Sequence, residues 1–262
     1  MANINTADIG FEKEIWKAAD LLRGNLDASE YKSVVLGLIF LKYLSDRFEA
    51  KYNELLAEGE GFEEDKDEYT SENIFYVPQD ARWSVIAEAA HSSEIGMVID
   101  NAMRQIEKEN LRLKGILPKN FARPELDKRR LGDVVDLFTN IQMREQGDTK
   151  DILGRTYEYC LSKFAEAEGK LAGEFYTPAC IVRTLVEVLQ PYHGRVYDPA
   201  CGSGGMFIQS TDLVKAKQGD ISRINVYGQE KEAATYRLAK MNLALRGISH
   251  NLGSESDSSF TN

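Results

Sequence analysis

The chain has 262 residues, 43% of them apolar and 28% charged, with a formal net charge of −10 and a pI near 5.0. That length can build one large or two ordinary cores, whereas the acidity is wrong for a protein that grips nucleic acid on its own. No apolar run approaches the roughly 20 residues of a membrane span and no signal peptide is visible, so a cytoplasmic protein with no membrane partner is expected.

Helical periodicity dominates from Phe11 onward. Ile15, Ala19 and Leu22 share one face, and Asp27 followed by Glu30 reads as a capping box. Residues 34–41 are an unbroken apolar run apart from Gly37. They continue into a pattern through Tyr43, Leu44, Phe48, Tyr52 and Leu55, which marks a buried core helix. Eight acids between Glu58 and Glu72 face a single Lys66, the composition of a solvated loop. Further helices are expected over 81–90, 92–114 and 125–140, with Pro118 and Pro124 breaking the chain between the last two. Lys128, Arg129 and Arg130, with Arg123 nearby, form a short basic cluster. It either contacts phosphates or sits idle at a helix end. Residues 1–150 thus read as an all-α domain, with Trp16 and Trp83 as core residues.

From residue 151 the pattern changes to α/β. Arg195-Val196-Tyr197 is β-prone and leads into Asp198-Pro199-Ala200-Cys201-Gly202-Ser203-Gly204-Gly205, with a helix over Gly205 to Lys217. Ile224 to Gln229 reads as the next strand, ending at Glu230. Three glycines let the main chain turn tightly, and the first amides of the following helix point at whatever lies there. A phosphate-binding P-loop needs a lysine after its glycines, and none follows before Lys215. The dinucleotide fingerprint needs a third glycine where Phe207 stands, and Asp198 would repel a pyrophosphate. S-adenosyl-L-methionine fits better. Its ammonium suits a carboxylate at a strand end, its carboxylate suits helix amides, and Glu230 can accept the ribose hydroxyls. The bland readings are an ordinary glycine turn and a solvated acid beside a helix start.

The octet, preceded by Gly173-Glu174-Phe175-Tyr176-Thr177-Pro178-Ala179, resembles the modification (methyltransferase) subunit of type I restriction-modification systems. So do Asp151 to Tyr159, Phe164 to Gly169 and Met241 to Gly247. Thr177 is a candidate helix N-cap with Pro178 at the first helical position, and Phe175 and Tyr176 can wall a pocket. The resemblance implies an N-terminal all-α domain (1–150) for DNA clamping or subunit docking. It also implies the first part of a Rossmann-like methyltransferase domain (151–262) that binds S-adenosyl-L-methionine. The cofactor residues carried over are Glu174 to Ala179, Asp198 to Gly205 and Glu230, while Asp257 matches the family's adenine-contacting acid only loosely. It further implies N6-adenine methylation of double-stranded DNA on a flipped base, beside a specificity subunit, a second modification subunit and a restriction subunit.

One departure limits this. The family's Asn-Pro-Pro-aromatic motif is absent, because no two of the six prolines are adjacent. The chain therefore reads as the amino-terminal part of such a subunit, with no catalytic residue and no methyl transfer by itself. The alternatives are a pure cofactor-binding and assembly module, or methyl transfer to RNA or protein. Two strands are also too few for a parallel sheet, so more chain, the helical half or a partner is expected to complete it. Cys160, Cys180 and Cys201 are an odd, scattered set that argues against disulfides, and Cys201 reads as a packing residue. His91, His193 and His250 lack ligand spacing, so no metal site is assigned.

Overall fold

A computed structural model describes residues 12–22, 28–141, 156, 159–160, 163–164 and 177–261. The chain divides into two compact units, Met1–Cys160 and Leu161–Asn262. The candidate capping box at Asp27 and the stretches 151–155 and 165–176 lie outside the described residues.

The first unit is helical. Helix α1 (Glu12–Leu22) buries Ile15, Ala18, Ala19 and Leu22, the face that their spacing predicts. Helix α2 (Ala28–Glu58) carries the apolar run, and residues 34–41 are buried throughout. Such a helix is apolar all round because other helices cover it on every side.

The acidic stretch is not simply a solvated loop. Asp65 caps a short helix α3 (Lys66–Ser71), whose Tyr69 is fully buried and stacks on Phe48 with ring centroids 4.6 Å apart. Glu64 accepts from Arg82 and from the Tyr76 hydroxyl, each at 2.7 Å, and Glu72 pairs with buried Lys51 at 2.7 Å. The Arg82 guanidinium lies 4.9 Å and 4.7 Å from the Phe48 and Tyr52 ring centroids. One aromatic residue and two cations thus pin a segment that charge counting leaves in water.

A 3₁₀ turn (Gln79–Ala81) precedes helix α4 (Trp83–Glu88), and helix α5 (Ile95–Glu109) is followed by a second 3₁₀ turn (Leu111–Leu113). Helix α6 (Lys128–Thr139) starts at Asp127, which accepts from the Arg129 and Arg130 amides. Arg130 then donates to the Leu21 carbonyl at 3.2 Å, so one member of the basic cluster serves the α1 C-terminus.

The second unit begins with helix α7 (Ala179–Leu189) and runs β1 (Gly194–Asp198), α8 (Gly205–Ala216), β2 (Ile224–Gly228), α9 (Ala233–Leu245) and β3 (His250–Asn251). The sheet is parallel in the order β1-β2-β3, with Val196 opposite Val226 and Val226 opposite His250. The third strand corrects the two-strand expectation. At two residues it is too short for strand propensity to register. Val196, Ile224 and Val226 pack with Phe207, Ile208, Tyr236, Ala239 and Leu243 into one core. Val182 and Val186 of α7 pack on Leu213 and Met206 of α8. The architecture is an all-α domain followed by part of a Rossmann-like fold. No helix among the described residues is long and apolar enough to cross a membrane.

The α5–α6 connection depends on buried Asp100, whose carboxylate accepts from the Phe121 and Ala122 amides at 2.9 and 3.2 Å. Gly96, one turn earlier, lets that backbone approach. A Cβ there would lie 2.7 Å from the Phe121 carbonyl carbon and 2.8 Å from the Ala122 Cα. Asp100→Ala is expected to cost about 1–3 kcal/mol of stability through stranded amides, and Gly96→Ala about as much through overpacking. Urea unfolding of each variant checks both, and unchanged midpoints would remove this clamp from the account.

Candidate functional site

The glycine loop joins β1 to α8 and is stitched to the exit of β2. The Gln229 amide donates to the Asp198 carbonyl at 3.0 Å, which extends the strand ladder by one step. The Cys201 amide donates back to the Gln229 carbonyl at 2.9 Å, and the Gly202 amide donates to Glu230 Oε2 at 3.0 Å. Glu230 Oε1 accepts the Glu232 amide at 2.8 Å, so this carboxylate is not an idle solvated group. It ties two main-chain segments together.

Glycine is required in the bend itself. Gly202 and Gly204 have φ of 54° and 85°, a region that other residues enter only with strain. Beneath the bend, Asn242 of α9 is buried and donates from Nδ2 to the Ser203 carbonyl at 2.9 Å. At the end of β2, a Cβ on Gly228 would meet the Phe207 ring at 2.8 Å, so Gly228 makes room for the core residue that anchors α8.

Asp198 stands at the C-terminal end of β1. Its Oδ1 accepts the Ala200 amide at 3.0 Å, and its carboxyl lines a cavity of about 420 Å³ between α7 and the loop. Thr177, Pro199, Ala200, Cys201, Gly202, Ser203 and Gly205 line the same cavity, with Val182, Leu185 and Met206 as its apolar wall. Burial raises the Asp198 pKa above the ordinary carboxylate value, and the Ala200 hydrogen bond offsets this only in part. The charge is therefore poorly solvated and favours a cation nearby. The Ser203 and Gly205 amides have no acceptor among the described residues, and they lie at the positive end of α8. The loop thus presents a carboxylate and free amides side by side.

Six of the sequence-derived positions, Asp198 to Ser203, together with Gly205 and Thr177, converge on this cavity, while Gly204 shapes the bend without lining it. Pro178 and Ala179 start the helix that walls it, whereas Glu174, Phe175 and Tyr176 lie outside the described residues. Glu230 is not part of the cavity lining and stands on the β2 side of the loop. The capping expectation also needs correction. Pro178, not Thr177, occupies the N-cap with φ −51° and ψ 135°, no side chain caps the helix, and the Pro178 carbonyl accepts from Ile181 and Val182. Proline is extended here, so the first helical position passes to Ala179.

Two contributors escaped the sequence reading. Asn242 sits in a recognisable string, but nothing in its spacing reveals a buried bond to the loop. Gln229, whose Oε1 accepts the Tyr197 hydroxyl at 2.6 Å, carries no motif signal. Asp257 arrives at the site through the backbone, its amide donating to the Glu230 carbonyl at 2.9 Å.

Cys201 is buried, and burial together with the Asp198 and Glu230 charges pushes its thiol up to about 12. Burial pushes Cys160 up as well, while Cys180 is exposed. Iodoacetamide at about pH 8 is expected to modify Cys180 and spare Cys160 and Cys201 until denaturant is added. Peptide mass mapping reads the pattern, and rapid native labelling of Cys201 would contradict the packing role.

Comparison with known proteins gives the family of the chain. The profile of the HsdM N-terminal domain matches residues 11–138, and that of the N-6 DNA methylase family matches residues 148–262. The methylase subunit of the type I restriction enzyme MjaIX of Methanocaldococcus jannaschii is 39% identical over 253 residues, spanning 90% of this chain and 45% of the relative. The HindI methylase subunit of Haemophilus influenzae is 40% identical over 205 residues, spanning 71% and 46%. Among solved structures, a type I restriction-modification methyltransferase subunit from Streptococcus thermophilus superposes with a TM-score of 0.69 at 24% identity, over 93% of this chain and 58% of that one. A modification subunit of a putative type I restriction enzyme from Vibrio vulnificus gives 0.59 at 20% identity, over 99% and 57%. The chain belongs to the family of type I restriction-modification methylase subunits, and it spans about half the length of the curated relatives it matches.

Proposed function

We propose that this chain is the donor-binding part of a type I restriction-modification DNA methyltransferase. It holds S-adenosyl-L-methionine for methylation of adenine N6 in double-stranded DNA. The observation that carries the reading is the pairing of a half-buried strand-end carboxylate, Asp198, with the Ser203 and Gly205 amides, which have no acceptor among the described residues, in one cavity. A phosphate would be repelled by Asp198, whereas an amino acid end offers an ammonium to the carboxylate and a carboxylate to the amides. When bound, the cofactor supplies an electrophilic methyl group.

The chain's own residues then bind and orient. Asp198 takes the ammonium, the α8 amides take the carboxylate, and the apolar wall of Val182, Leu185 and Met206 lies along the cavity. Residues 174–176, outside the described part, belong to the family string that closes over the methionine end. Across the loop, Glu230 accepts the ribose hydroxyls with the carboxylate that also holds Gly202, a role its position at the end of a neighbouring strand supports. Asp257 comes next in line for the base.

Methyl transfer itself needs an acceptor that grips the extruded adenine, and the Asn-Pro-Pro-aromatic sequence that does this in the family occurs nowhere in these 262 residues. The 1–262 chain is therefore expected to bind the donor without methylating DNA. Target recognition falls to a specificity subunit, with a second modification subunit and a restriction subunit completing the assembly. The helical unit serves DNA clamping or subunit docking.

Calorimetric titration with S-adenosyl-L-methionine tests the reading. Asp198→Ala and Glu230→Ala are each expected to weaken binding by about 1–3 kcal/mol through lost charge-assisted hydrogen bonds. Unchanged affinity in both would remove them from the site.

A pH series separates the two acids. Because burial holds the Asp198 pKa above its ordinary value of 3.8, the proton and the ammonium compete for it at mildly acidic pH. Affinity is full above that pKa and is expected to fall as the pH drops through it. Asp198→Asn should bind more weakly and lose most of this dependence. An identical pH profile in that variant would place the ammonium elsewhere.

A further inference from the structure

After β3 the chain turns at Gly253, whose φ of 81° aims its carbonyl at α9. Two side chains of α9 take that one oxygen. Tyr236 donates from its hydroxyl at 2.7 Å and Lys240 from its ammonium at 3.2 Å, while the Lys240 ammonium lies 4.4 Å from the Tyr236 ring centroid. Tyr236 is only 7% exposed, so its ring is fixed in the core while its hydroxyl reaches out to the turn. Asn251 Oδ1 accepts the Gly253 amide at 3.0 Å, which fixes the same turn from the strand side. Four residues later the Asp257 amide reaches the Glu230 carbonyl at 2.9 Å, and Asp257 Oδ1 accepts the Ser258 amide at 2.7 Å. The Asp257 side chain remains exposed beside the end of β2.

We propose that Tyr236 and Lys240 are positioning residues that hold the 253–258 turn as the base-end wall of the ligand site. This rests on the reading above, in which a nucleoside passes over the carboxyl ends of the strands. A ligand that extends past Glu230 meets this turn next. Buried Leu252 seats the start of the turn in the core, and beyond it the Asn251 side chain, the Asp257 amide and the α9 clamp hold the turn beside β2. An exposed six-residue turn held only by its bonds to Asn251 and Glu230 would spread over many conformations, and each would present the Asp257 carboxylate differently. Two donors on one carbonyl, one of them charged, narrow that spread. The clamp therefore acts on discrimination between bases as well as on affinity.

The test compares S-adenosylhomocysteine with S-inosylhomocysteine, in which oxygen replaces the exocyclic amine, by calorimetry on the 1–262 chain and on Tyr236→Phe. The parent is expected to prefer the adenine ligand. Tyr236→Phe keeps the buried ring and should lose about five- to tenfold in affinity for that ligand alone, which narrows the preference. Lys240→Met, which removes the charged donor and keeps an aliphatic stem beside the Tyr236 ring, should move the ratio in the same direction. Equal weakening of both ligands means a purely structural tyrosine and overturns the proposal. So do unchanged affinities in both variants beside a parent that binds. A parent that binds neither ligand overturns the donor-binding reading itself, and this inference with it.

Discussion

The site depends on one cross-link, the short set of main-chain bonds that ties the glycine loop to the end of β2. A loop with glycines at 202, 204 and 205 gains freedom to bend tightly, and the same freedom makes it costly to hold still. Three bonds offset that cost: Gln229 to Asp198, Cys201 to Gln229, and Gly202 to the Glu230 carboxylate. Through them a parallel ladder continues one step beyond the strands, and the loop takes its shape from the neighbouring strand rather than from itself. Glu230 thus has two tasks. It closes the loop, and in the function proposed above the same carboxylate meets the ribose.

That cross-link also sets the charge around the bend. Two carboxylates stand on either side of the bend, and both raise the Cys201 thiol together with its burial. A loop built for phosphates would surround the anion with amides and a cation. This one uses up the Ala200, Cys201, Gly202 and Gly204 amides internally and leaves few for a ligand. What remains suits a zwitterion with a positive end, for which one carboxylate and two amides suffice.

How much of this was legible in the sequence follows from how local each signal is. The octet at 198–205 states its own geometry, because only glycine enters the bend and only a helix start follows it. The apolar run at 34–41 likewise announces a helix covered on all sides, and every residue of it is buried. Signals that depend on partners far along the chain stayed hidden. Tyr69 is buried against Phe48 and Tyr76, and Glu64 is held by Arg82 and Tyr76, so the acidic stretch read as solvated. The two residues of β3 become a strand only against Val226 and Tyr227. Thr177 carries the signature of an N-cap, but Pro178 in extended conformation takes that position, a choice set by one backbone angle.

The sheet of the second unit carries features that its sequence alone does not resolve. Among the described residues, β1 has a strand on one side only, and Arg195, Tyr197, Asn225 and Tyr227 face away from the core and are exposed. Helix α7 adds exposed Ile181, Leu185, Val188 and Leu189 to the residues it buries on α8. A parallel sheet normally has both faces covered, so this side of the unit is built for cover. Yet every bond that shapes the glycine loop joins residues between Asp198 and Asn242, and the turn at Gly253 is held from α9. The cover and the cavity are therefore separable in physical terms. Packing on the open side would add stability, while the cavity already owes its form to contacts within its own strands and helices.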